Sequence, residues 1–404
     1  MSNELRRGLA LLKEHNVQRL FVAYLVTYSG TAMAPIAMAF GVLDLTGSTR
    51  DASIVIAAPT LASVFVLLFG GVVADRLSRK KVIVSAELIA MAAQAVMAAL
   101  FLTGTANIAL LTAFMLVNGI AMAFHAPAAA GLIVQLVDEK DLQSTNAILG
   151  MARNSATIGG AALGGVLVAL FGAGLTLAFD AATFALSAFL VYTLRPRVQR
   201  PPEPASVLTD LKLGWQEFTR HTWLWTMVLQ FTLVVAALDA TFGLLGPAVA
   251  RESLGGAAHW GFIMAGFGTG TVCGGLLAMR LRPARPMRFA ATTVFFFAGV
   301  PLALSVPLAT SWIVLTGFVG GLFGQMFGVL WYTTLQKSVP SEMLSRVSAY
   351  DHLGSIALAP LGIVVGGWLY EIIGPRETLL IAAAAVIVPT ALVLCVRDVR
   401  QKRA

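Results

Sequence analysis

The sequence predicts an all-α membrane protein with twelve transmembrane helices in two pseudo-symmetric six-helix bundles. Three observations carry this: an apolar composition poor in charge, twelve apolar runs of spanning length, and cations gathered in alternate breaks between those runs. Hydrophobic residues make up 58% of the 404 and charged residues only 12%, against about 25% charged in soluble domains. The net charge of +8 sits at the edges of the apolar runs, so it does not point to nucleic acid. Cys273 and Cys395 stand apart from any other cysteine, and neither a disulfide framework, a metal site nor a cofactor is expected.

The opening residues, MSNELRRGLALLKEHNVQRL, are too polar for a cleavable signal, so the first apolar run is read as the first membrane helix. The runs fall at 20–41, 53–73, 82–103, 107–132, 145–170, 174–194, 223–248, 259–280, 289–309, 311–336, 349–373 and 377–396. Each approaches the roughly 20 residues that a bilayer core requires. Gly104–Asn107 and Phe171–Gly174 read as tight turns between antiparallel helices. The one long break, 195–222, carries Pro196, Pro201, Pro202 and Pro204 and then an amphipathic stretch from Val207 to Phe218. It divides an N-terminal six-helix bundle at 1–194 from a C-terminal one at 223–404.

Of the 28 lysines and arginines, 24 lie in the terminal segments, the 195–222 break and the breaks on the same side. The other side holds only Arg50, Arg251 and Arg376, and Arg153 lies inside the fifth run. The cation-rich side is therefore expected to be cytoplasmic, with both termini there. A weak repeat supports the division: at an offset of 202, Gly160 aligns with Gly362 and Gly164-Gly165 with Gly366-Gly367. These glycines, with small residues around them, make grooves for neighbouring helices.

The break after the second run reads GGVVADRLSRKK from Gly70 to Lys81. Gly71, Asp75, Arg76, Arg79 and Lys80 in this order resemble the signature loop between helices two and three of the major facilitator superfamily, with Ser78 as the departure. The resemblance implies the major facilitator fold, with a solute site between the bundles, and makes these five residues candidates for gating. Asp75 is expected to cap the eleventh span. Gly159 to Gly165 is similar to the glycine motif of superfamily antiporters, with Ala161 in place of proline. In the fourth span Met115 replaces the arginine of the drug–proton antiporters, which removes a relay built on that arginine.

Ionisable and polar groups inside spans are costly and mark functional positions. Glu87 and Arg153 enter their spans to similar depths and are expected to form a structural ion pair. Asp351 and His352, in the first turn of the eleventh span, are expected to be solvated or to serve an inner gate. If the superfamily arrangement holds, spans one, four, seven and ten line the cavity, which nominates Tyr24, Tyr28, Asn118, His125, Gln230, Gln325 and Trp331, and makes Asp239 the candidate proton-coupling carboxylate.

Thr46-Gly47-Ser48, the fifth span from Ala147 and Val339–Val347 look like the enterobactin-exporter and macrolide-efflux branch. That resemblance implies export of an amphipathic small molecule (drug, siderophore or secondary metabolite) by proton antiport across the inner membrane. The partners are then the solute, protons and lipid; the sequence leaves the oligomeric state open, and a monomer is compatible with it. An importer or facilitator on the same fold is the rival reading, and a non-transporting membrane protein a remoter one. No nucleotide-binding loop or zinc helix argues for an enzyme.

Topology is testable by cysteine accessibility. In a chain with Cys273 and Cys395 replaced, a membrane-impermeant thiol reagent added outside cells should label Thr105→Cys but neither Ser78→Cys nor Ser206→Cys. Labelling of Ser78→Cys in intact cells overturns the orientation.

Overall fold

A computed structural model describes residues 11–69, 78–196, 207–306 and 308–402, and every regular element among them is helical. The helices are α1 (His15–Thr46), α2 (Thr49–Phe69), α3 (Arg79–Leu102), α4 (Ile108–Leu136), α5 (Leu142–Tyr192) and α6 (Val207–Arg220). There follow α7 (Thr222–Leu254), α8 (Ala257–Ala278), α9 (Pro286–Leu304), α10 (Thr310–Ser338), α11 (Ser341–Ile356), α12 (Ala359–Ile373), α13 (Pro375–Val393) and α14 (Arg397–Gln401). Helices are what an apolar solvent selects, because each one satisfies its own backbone polar groups.

Eleven helices among the described residues are long and apolar enough to cross a membrane. One of them, α5, has 51 residues and an interior break at Gly172 (φ 77°, ψ 175°). At about 1.5 Å per residue it is more than twice a bilayer core of about 30 Å, so it supplies two crossings. The turn expected at Phe171–Gly174 is thus made at a single residue. Gly374, 202 positions later, repeats it between α12 and α13 (φ 93°, ψ 167°). Only glycine takes this backbone conformation without strain.

The chain forms two compact units: one up to Leu45 with Ala58–Glu203, the other Thr46–Ala57 with Pro204 onward. In the first, α3 packs on α4 and α5, and Leu20, Ile83, Leu132, Ile148 and Leu149 join a buried apolar cluster. In the second, Trp223, Met227, Met287, Trp331, Val347 and Val386 do the same. Leu170, Phe189, Leu229, Leu276 and Leu392 are exposed, which suits a surface bathed in lipid rather than water.

The aligned glycines mark close helix approaches within each unit. A Cβ on Gly160 would overlap the Ser29 carbonyl of α1, and one on Gly164 would lie 2.8 Å from Met33 Cα. In the second unit a Cβ on Gly362 would overlap the Ala236 carbonyl of α7, and one on Gly366 would lie 3.2 Å from Ala240 Cβ. Gly165 is buried beside Gly164, and a Cβ on Gly367 would stand 2.6 Å from Thr49 O and from Ser53 Cβ. Gly159, one residue from Gly160, faces open space.

This contrast gives a paired test. Gly160→Val and Gly362→Val should each destabilise the detergent-purified protein by about 1–3 kcal/mol, the usual cost of overpacking, whereas Gly159→Val should be near neutral. Equal thermal midpoints for Gly159→Val and Gly160→Val would contradict the packing account.

Candidate functional site

On α1, Tyr24, Thr27 and Tyr28 follow the three- and four-residue spacing that puts side chains on one helix face. The two tyrosine rings lie 5.4 Å apart. Across from them, α3 presents Glu87, α4 presents His125, and the second half of α5 presents Ser187. Glu87 is 1% exposed, and its Oε1 accepts from Ser187 Oγ at 2.6 Å and Thr27 Oγ1 at 3.3 Å. His125 Nε2 lies 3.3 Å from the same oxygen, while Glu87 Oε2 is buried without a partner. These groups and both tyrosines border a cavity of about 10 Å³.

The structure corrects the pairing expected for Glu87. Arg153 is exposed on α5, and its guanidinium makes no hydrogen bond or ion pair with a described residue. It lies within electrostatic range of Tyr24, as does Glu87. Depth along two spans matched the pair, but Arg153 stands on an exposed face of α5, away from Glu87. Nearby in the same unit, Asp180 is fully buried, accepting from Gln94 Nε2 at 2.7 Å and Thr183 Oγ1 at 3.3 Å. Asn118 is half-buried on α4, with Nδ2 unpartnered.

In the second unit Gln230 donates to Thr390 Oγ1 at 2.8 Å inside the core. Trp331 stacks on Phe327, which stacks on Phe231, and its Nε1 donates to Asp351 Oδ2 at 3.0 Å. Asp351 is 7% exposed, so it is an enclosed hydrogen-bonded carboxyl rather than the solvated group expected from its place in the span. Asp239 is half-buried on α7 and has no hydrogen-bond partner among the described residues. Two residues later α7 widens into a π-helical turn, Thr241–Leu245, a distortion frequent at functional sites. Gln325 is half-buried on α10 beside Gly275. Tyr24, Tyr28 and His125 are thus brought together, whereas Asn118, Gln325 and Asp239 stand outside the hydrogen-bonded clusters.

The sequence of the transmembrane secretion effector family matches residues 7–404. The chain belongs to this family. The multidrug efflux pump Tap of Mycolicibacterium fortuitum is 28% identical, covering 94% of this chain and 93% of Tap. The enterobactin exporter EntS of Salmonella choleraesuis (strain SC-B67) is 26% identical, covering 89% and 88%. The nucleoside transporter NupG superposes with a TM-score of 0.75 at 16% identity, covering 93% of this chain and 98% of NupG, which shows the fold. The chain is therefore a major facilitator transporter of small molecules, a multi-pass membrane protein and not an enzyme.

Several helix ends of this chain are closed by charge. At the C-terminus of α5, Arg19 Nη1 donates to Thr193 O at 3.2 Å and Lys80 Nζ to Leu194 O at 2.9 Å. Lys80 also lies 5.1 Å from the Tyr192 ring centroid, and the Arg79 side chain covers Gly131. Cations suit this end of the helix dipole. Gly71, Asp75 and Arg76 lie outside the described residues, as does the cap expected from Asp75.

A different carboxylate closes the N-terminus of α2, and sequence reading missed it. Glu371 Oε1, on α12, accepts from Ser48 Oγ at 2.7 Å and from the Arg50 N–H at 3.0 Å. Thr49 Oγ1 donates to Gly367 O at 3.0 Å, and the Arg50 guanidinium lies 3.8 Å from the Trp368 ring centroid. Ser48 before α2 was the only local sign of a cap. Glu371→Gln keeps an acceptor but removes the charge, so it should destabilise by roughly 0.3–1 kcal/mol and lower Tm by about 0.3–1 °C. The loss should shrink at about 1 M salt; a deficit unaffected by salt would mean that the charge is not what the cap uses.

Proposed function

We propose that this chain exports a neutral or weakly anionic amphipathic molecule across the inner membrane, exchanging it for protons by alternating access. The direction is supported by relatives named as an efflux pump and an exporter, which align with this chain over most of both lengths. On this reading residues 1–194 and 223–404 are the two moving halves, joined by 195–222, with both termini cytoplasmic and one chain as the working unit. The 24 cations on one side support that orientation. Gly71, Asp75, Arg76, Arg79 and Lys80 then belong to the inner gate.

The observation that carries the solute class is the charge layout of the first unit. No carboxylate stands on α1 between Leu20 and Val42, Asp180 is enclosed by its own partners, and Glu87 is buried. An organic dication would find little there to replace its hydration. Exposed Arg153, within electrostatic range of Tyr24, and the Tyr24–Tyr28 pair favour an aromatic or acidic group instead. Asp239, without a partner on α7, is the proton-coupling carboxylate of the second unit.

Enterobactin and methyl viologen serve as contrasting probes. Reconstituted protein should accumulate enterobactin against its gradient only under a proton gradient of the correct sign, and Asp239→Asn should abolish that accumulation. Uphill transport insensitive to protonophore would refute antiport, and preference for methyl viologen would refute the charge argument.

A further inference from the structure

Glu87 gathers all its hydrogen bonds on one oxygen. Oε1 takes Ser187, Thr27 and His125, and Oε2 is buried with none. Among the described residues no lysine or arginine lies within ion-pair distance of this carboxyl; the one basic group that does is His125, at 3.3 Å. Both side chains are enclosed, at 1% and 7% exposure. The remaining groups that face them are Tyr24 and Tyr28 on α1, with Arg153 on α5 acting on Tyr24.

An ionised carboxylate beside a neutral imidazole would leave one uncompensated negative charge in an apolar interior. The penalty is several kcal/mol per ion. A carboxylic acid beside an imidazolium would leave one positive charge at a similar cost. The two neutral arrangements, acid with imidazole and carboxylate with imidazolium, hold the same single proton and differ only in where it sits.

We propose that Glu87 and His125 form a proton-binding centre in the first unit, separate from Asp239, which carries one exchangeable proton during transport. Ser187 and Thr27 are positioning residues that fix Oε1 and leave Oε2 free to hold the proton. The adjoining cavity of about 10 Å³ is at the lower limit for one water, about 10–15 Å³, and borders both Glu87 and the tyrosines. A proton leaving the pair would pass to a water there, the O–H or N–H bond breaking as the water oxygen accepts it. The role in transport rests on the antiport reading above, whereas proton binding itself does not.

Infrared difference spectroscopy between low and high pH, on protein reconstituted in lipid, tests this without any solute. Wild type should show a protonated-carboxyl band and an imidazole signal. Glu87→Gln should remove one component of the first and His125→Gln one component of the second, the remainder coming from the other carboxyls and histidines. Asp239→Asn should retain both, and Ser187→Ala should move the carboxyl band to higher frequency by removing its shortest hydrogen bond. Should Glu87→Gln fail to fold, a shift of the band in Glu87→Asp makes the same assignment. A difference spectrum unchanged by substitution at Glu87 overturns the proposal.

In proteoliposomes, Glu87→Gln should lose accumulation of enterobactin driven by a proton gradient while keeping enterobactin counterflow. Retained accumulation would overturn the centre's role in coupling. A wild-type protein indifferent to the proton gradient would instead refute antiport, with the infrared result still deciding whether the centre exists.

Discussion

A carboxylate enclosed among apolar helices has to be neutralised where it stands, because its hydration is lost and the surrounding hydrocarbon offers no substitute. This constraint arranges the interior of both units. Asp180 meets an amide and a hydroxyl, Asp351 meets an indole N–H, and Glu87 meets two hydroxyls and an imidazole. The hydrogen-bond partners of Asp180 and Asp351 cannot change charge, although His352 lies within electrostatic range of Asp351. His125 can, and the proton centre proposed at Glu87 depends on that difference.

The two halves share a backbone plan more closely than they share chemistry. Gly160 and Gly164 bring α5 against α1, while Gly362 and Gly366 bring α12 against α7. The turns at Gly172 and Gly374 have nearly the same backbone angles. Small residues persist at these points because close helix approach in a membrane depends on van der Waals contact rather than on expulsion of water. Side chains away from those contacts were free to diverge. The first unit acquired tyrosines, a histidine and a glutamate, and the second an aromatic stack from Phe231 through Phe327 to Trp331.

Much of the fold was legible because a bilayer imposes one solution on each apolar run, and because the turn glycines stand out from the runs that they separate. Pairing inside the bundles was much less so. Position along a span gives depth, but contact also requires the helix face, which packing sets. Glu87 and Arg153 agree in depth and yet face different surroundings, and Asp351, placed by the sequence at the start of a span, lies well inside α11 and is enclosed by Trp331. The tyrosine pair was legible from its spacing on α1. Ser187 and Thr27 were not, since hydroxyl residues in membrane helices commonly bond their own backbone, as Thr226 and Thr390 do here.

Glu371 shows the same limit at a helix end. Its partner N–H belongs to Arg50, 321 residues away, so no local pattern announces the cap. Yet its placement obeys the rule that puts Lys80 and Arg19 at the C-terminus of α5: an anion at a helix start, cations at a helix end. Lys80 therefore meets two demands at once. As one of the loop cations it contributes to the charge asymmetry that orients membrane helices, and as a donor to Leu194 O it satisfies a carbonyl that α5 leaves open. Replacing it with a neutral residue would remove both contributions together, whereas arginine preserves the charge but presents a planar fork in place of a compact ammonium. The helix-end bond and the charge asymmetry are thus separable by substitution even though one side chain supplies both.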